Sequence, residues 1–244
     1  MAMITVPRMG GLALIIGSAL YIISTFLSPG VVIDGAAATD LYAYVDAIGD
    51  APLLAGFASM LGAVAALILL WGLLVMWQTA QSPCALDTFV KFGLAGVMLA
   101  VISLLMSHAF TYATSHVVEH GIGLGSGADQ EEALRAIGVH MQSVAGAARA
   151  MASVAGLIGY LVLGFAYARK FKPGAYRIMA LIVGIGAIVS LIGLALTEPF
   201  HGLIDTLSPI FLALSLLYLV WWIVMGIGVY QERFGLQIGI TPEH

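Results

Sequence analysis

The chain has 244 residues, 61% of them hydrophobic and only 9% charged, with a formal net charge of −4 and a mean hydropathy of +1.04. Soluble domains carry about 25% charged residues, so this composition excludes a water-covered globule and implies burial in a lipid bilayer. One cysteine, Cys84, excludes an internal disulfide and any CxxC metal or redox motif, and nothing in the sequence supports nucleic-acid binding.

A helix that crosses a bilayer needs about 20 mostly apolar residues. Six windows meet that length: 10–28, 52–78, 90–114, 147–168, 176–197 and 207–230. The period-2 alternation of a barrel strand is missing, and helices satisfy their own backbone groups in hydrocarbon. The expected fold is therefore all-α, a single integral membrane domain over 1–244 built as a six-transmembrane-helix bundle.

The first window follows Arg8 and precedes the small residues Gly35, Ala36, Ala37 and Ala38, an outline shared with secretory signals. Its apolar run from Gly10 to Ser28 exceeds the usual signal core of about 7–15 residues, so it is read as a span. Residues 31–50 form an outer loop with a short interfacial helix carrying Tyr42 and Tyr44. Pro52 opens the second span, where a proline starts a helix cheaply. The third helix, read from Lys91 to His120, would measure about 45 Å at a rise of ~1.5 Å per residue, against a hydrocarbon core of about 30 Å.

An outer hairpin over about 115–146 is the consequence, with helices 3 and 4 extended above the outer surface. The glycine-rich run from Gly121 to Gly127 joins its arms; without a preceding strand or a lysine it is a turn and not a phosphate loop. The fourth helix, 131–168, begins amphipathic. Leu134, Ile137, Met141 and Val144 share a stripe, while Glu131, Arg135 and Gln142 lie elsewhere. Ala148, Ala152 and Gly156 make a row of small residues that lets a neighbouring helix approach. Pro173 with Gly174, Pro199 and Pro209 punctuate the last spans near their ends. Trp71, Trp77, Trp221 and Trp222 fall toward the inner half, as interfacial anchors do.

Basic residues orient the bundle. Arg8, Lys91, Arg169, Lys170, Lys172, Arg177 and Arg233 fall on one side of a six-span chain, and most carboxylates fall on the other. Both termini are thus expected to be cytoplasmic (N-in, C-in), in a bacterial cytoplasmic membrane.

The chemistry-bearing residues gather on the outer side. His108, Tyr112, His116 and His120 follow one another at intervals of four, a spacing that keeps neighbours on one helix face. His116 and His120, with His140 or Glu119, are candidate ligands for a transition metal (Cu, Zn or Fe), since imidazole and carboxylate suit such ions. The bland alternative is solvated or hydrogen-bonded interface histidines. His116 to His120 also matches H-x-x-E-H, read as a chance occurrence because the zinc-peptidase context is lacking. His108 with His201 is the alternative pair, as axial ligands of haem b. Arg149 is an ionisable residue in a span, so it either marks function or snorkels to head groups. As a functional residue it pairs with Glu198, with Asp205 nearby, or contacts a quinone head group.

Three functions follow. The first is a membrane subunit whose outer site holds a metal or haem and serves a redox complex. The second is a non-catalytic accessory subunit that scaffolds other membrane protein subunits. The third is a small-solute transporter. It ranks last because Ser24, Thr25, Ser59, Ser103, Ser153, Ser190 and Ser215, the polar residues of the central stretches, are expected to bond helix to helix.

Overall fold

The computed structural model describes residues 5–31, 40–80, 84–123, 128–197 and 203–231. They form seven helices: α1 (Val6–Leu27), α2 (Leu41–Asp50), α3 (Pro52–Thr79), α4 (Ala85–Gly123), α5 (Ala128–Lys170), α6 (Ala175–Thr197) and α7 (Leu203–Tyr230). Among the described residues there is no strand. All but α2 are long and apolar enough to cross a membrane, so the protein is a transmembrane helix bundle. The expected windows each lie within one of these six helices, apart from the terminal Ser28.

The six long helices close into a ring. α1 packs on α3, α3 on α4, α4 on α5, α5 on α6 and, more slightly, α6 on α7, while α7 packs chiefly on α1. The α4–α5 contact is the most extensive and the α6–α7 seam the slightest. Glycines set the close approaches. A methyl group on Gly159 of α5 would lie 2.7 Å from the Gly93 carbonyl oxygen of α4, and one on Gly226 of α7 would lie 2.6 Å from that of Gly11 in α1. Backbones meet there because lipid supplies no hydrophobic drive between helices, and close packing takes its place. The row Ala148, Ala152, Gly156 does face a neighbour, with Gly156 against Ala100 of α4, but the tightest α4–α5 contact lies further along, at Gly93 and Gly159.

Two ion pairs fasten opposite ends. Lys170, in the last turn of α5, pairs with Asp87 at the start of α4, and both side chains are buried. This basic end also carries Trp221 and Trp222, which are fully buried among Leu73, Leu94, Leu163 and Met225. Interfacial anchoring does not describe these two; only Trp71 is exposed as an anchor would be.

At the other end α2 lies against α3, α4 and α5. Asp40 caps it, its carboxylate accepting a hydrogen bond from the Ala43 N–H at 3.0 Å, and Val45 and Ile48 bury its apolar face. Arg135 of α5 pairs with Asp46 and lies over the Tyr42 ring.

Helices α4 and α5 contain 39 and 43 residues, or about 58 and 64 Å at ~1.5 Å per residue. Gln142 is the inward side chain of α5 near α2, whereas Ile137 and Val144 of the apolar stripe face outward. α7 begins at Leu203, before Pro209, which therefore sits inside the helix.

Candidate functional site

Between the helices lies a cavity of about 420 Å³, open in part to the surroundings and lined from α1, α3, α4, α5, α6 and α7. Small residues make the space: Ala66 on α3, Ala100 on α4, and Ala152 and Gly156 on α5 contribute almost no side chain to the wall. Leu104, Leu157, Leu216 and Phe211 supply much of the apolar remainder.

Its floor is aromatic. Tyr160 of α5 and Tyr218 of α7 stack with centroids 4.2 Å apart and planes within 9°. Below them Trp222 donates its indole N–H to the Tyr160 hydroxyl at 2.9 Å. The Tyr218 hydroxyl and Ser190 of α6 lie 3.3 Å apart, within hydrogen-bond reach. Buried tyrosine and tryptophan need such partners. Counting about 1.5 Å per residue from the basic ends of their helices puts Tyr160 and Tyr218 some 15–18 Å in, about halfway through a ~30 Å hydrocarbon core.

Nearer α2, hydroxyls stud the wall. Thr25 donates to the Tyr21 carbonyl (2.9 Å), Ser153 to the Arg149 carbonyl (3.0 Å) and Ser215 to the Phe211 carbonyl (2.8 Å). Each bonds within its own helix; Ser24 alone of the central hydroxyls crosses to another helix's backbone, donating to Ala58 of α3 at 2.8 Å.

In the cavity wall, Tyr21 connects outward to His108, whose Nε2 lies 3.3 Å from the tyrosine hydroxyl. The imidazole sits against Gly62 of α3, where a methyl group would come within 2.5 Å of Nε2. That nitrogen is bonded to Tyr21 and covered by Gly62, a packed setting that does not fit an axial haem ligand at Nε2. Arg149 donates to the Gln142 side-chain oxygen at 3.1 Å and to the Ala145 carbonyl at 3.3 Å, and its guanidinium lies 5.4 Å from the Tyr44 ring centroid. Gln142 in turn donates to Thr114 of α4 at 3.0 Å. A polar chain thus runs from α4 through α5 to α2.

The outer candidates are partly in view. His116 is half exposed, with Nε2 2.8 Å from the Tyr112 hydroxyl and Nδ1 3.9 Å from Glu119. His140 is exposed on α5. His120 belongs to α4, but its side chain lies outside the described residues, as do the side chain of Asp205 and all of Glu198 and His201. Among the described residues no three His, Cys, Asp or Glu side chains gather to hold one ion. A second cleft, about 260 Å³, opens beneath α2 between Asp46, Asp50, Glu131 and Arg135.

No protein-family model, curated protein or solved structure matches this chain. The chemistry of the cavity is therefore the guide to function.

Sequence reasoning singled out Arg149 and His108 but passed over Tyr21, Tyr160 and Tyr218. A signal was present. A tyrosine in the middle of a span carries a hydroxyl that must find a partner in lipid. Three such residues on three helices point to a shared polar interior.

Proposed function

We propose that the chain is a transmembrane binding subunit of a membrane redox complex, holding a quinone-class molecule in the cavity at the centre of its helix ring. The observation that carries this reading is the mid-span cavity itself, apolar except for a tyrosine floor and a few hydroxyls. Its volume lies within the ~300–1,000 Å³ usual for small-molecule sites, and a mostly apolar wall with few polar groups is their usual make-up. A flat ring with oxygens, carried on an apolar tail, meets those surfaces and arrives from the bilayer. The outward apolar side chains, Phe57, Leu67, Phe92 and Ile192 among them, suit lipid and other membrane subunits alike.

The basic end faces the cytoplasm in this reading, by the excess of Lys and Arg there, in a bacterial inner membrane. The lengths of α4 and α5 then carry their hairpin, with α2 against it, above the outer surface.

The test is titration of the purified protein in nanodiscs with a short-chain ubiquinone, reading tryptophan fluorescence. Saturable quenching that Ser215→Phe abolishes is expected. Quenching that never saturates, or that is unchanged in that variant, rejects the site.

A second reading keeps a transition metal at His116, His120 and Glu119 with His140, favoured by the approach of His116 to Glu119 within one turn. It requires stoichiometric metal in the same preparation, lost in a His116→Ala/His120→Ala variant; a metal-free preparation that takes up no added zinc or copper rejects it.

A further inference from the structure

Hydroxyl groups at the cavity differ in which part of themselves they offer. A hydroxyl has one hydrogen to donate and two lone pairs to accept with. Thr25, Ser153 and Ser215 each spend that hydrogen on the carbonyl four residues back in the same helix. They come from α1, α5 and α7, and what they present to the cavity is lone pairs alone. The floor is different. Tyr160 accepts the Trp222 N–H and keeps its own hydrogen. In the Ser190–Tyr218 pair one hydroxyl donates and the other keeps its hydrogen.

The polarity is therefore layered. The floor can donate, whereas Thr25, Ser153 and Ser215 accept; Tyr21, the other hydroxyl of the wall, is paired with His108 Nε2 at 3.3 Å. A ligand oxygen at the wall needs a hydrogen of its own, whereas an oxygen at the floor is served with or without one.

We infer that the cavity selects the hydroxylated, quinol form of its ligand over the carbonyl form, because three wall hydroxyls committed to their own helices face the ring as acceptors only. The inference rests on the quinone-class reading given above. A quinol satisfies both layers, donating at the wall and accepting at the floor. A quinone places a carbonyl oxygen against lone pairs at the wall and leaves it without a donor there, a loss on the order of tenfold in affinity. A tenfold preference for the reduced form raises the midpoint potential of the bound two-electron couple by about 30 mV.

Nanodisc titrations with a short-chain ubiquinol, the matching quinone, the quinol's dimethyl ether and an alcohol of equal chain length test this. The quinol is expected to bind on the order of tenfold more tightly than the quinone. The ether, of similar shape but without hydroxyl hydrogens, should bind no better than the quinone, and the ringless alcohol more weakly than the quinol. In Thr25→Val/Ser153→Ala/Ser215→Ala, with folding checked by thermal unfolding, the quinol-to-quinone ratio should fall to about one while the quinone keeps its affinity.

If neither ring form binds, the quinone-class reading fails and the inference with it. If both bind but the quinone or the ether equals the quinol, the inference alone fails. A preference that survives in the triple variant also overturns it, as does an alcohol that matches the quinol. Should the triple variant not fold, the ether comparison on the unaltered protein still decides.

Discussion

An arginine in an apolar helix has to find its hydrogen-bond partners inside the protein. Arg149 does so by donating to Gln142 and to a carbonyl of its own helix while lying over Tyr44. Its isolation among apolar residues was legible in the sequence. Its partners were not, since Gln142 reads as a surface residue of an amphipathic turn until α4 and α2 are in place.

The Asp87–Lys170 pair makes the same point with higher stakes. Both side chains are buried, and the second carboxylate oxygen of Asp87 has no hydrogen-bond partner among the described residues. Removing one member of a buried pair leaves an uncompensated charge, which costs about 3–5 kcal/mol, whereas replacing both is often nearly neutral. Lys170→Met should therefore lower unfolding stability in detergent by about that amount, and Asp87→Asn/Lys170→Met should recover most of it. Equal losses in the single and double variants would show that the pair is not what matters at this end.

At the scale of elements, long apolar runs are the strongest signal a membrane sequence carries, and the six long helices follow from them directly. Contacts between helices are less legible, because several small-residue rows compete on each. The sequence marked Ala148, Ala152 and Gly156; the backbones come closest at Gly93 and Gly159. The difference between the rows is measurable. Gly159→Ala sets a methyl group against the Gly93 oxygen and the Val97 nitrogen, backbone atoms that cannot swing aside, and should destabilise by about 1–3 kcal/mol. Gly146 has nothing within 4 Å of such a methyl, so Gly146→Ala should be neutral or stabilising by up to about 1 kcal/mol through helix propensity. Thermal unfolding of both variants checks the contrast. The cavity stayed hidden for the same reason: spacing along one helix does not reveal that residues of six helices leave a gap between them.

For the whole molecule, orientation is the property most open to direct measurement, because the chain has a single, exposed cysteine at the basic end. With that end cytoplasmic, a membrane-impermeant maleimide added to intact spheroplasts should leave Cys84 unlabelled until the membrane is permeabilised. In Cys84→Ser/His140→Cys the reagent should react from outside. The opposite pattern would invert the topology.

The return of α7 onto α1 has a consequence for biogenesis. Since α1 meets α7 backbone to backbone at Gly11 and Gly226, α1 waits for α7 to be synthesised before its second flank is covered. Until α7 is inserted, the incomplete ring is a trough open along one side. Local pairing of successive helices is fast, but this end-to-end closure spans nearly the whole sequence, the kind of long-range contact that slows assembly.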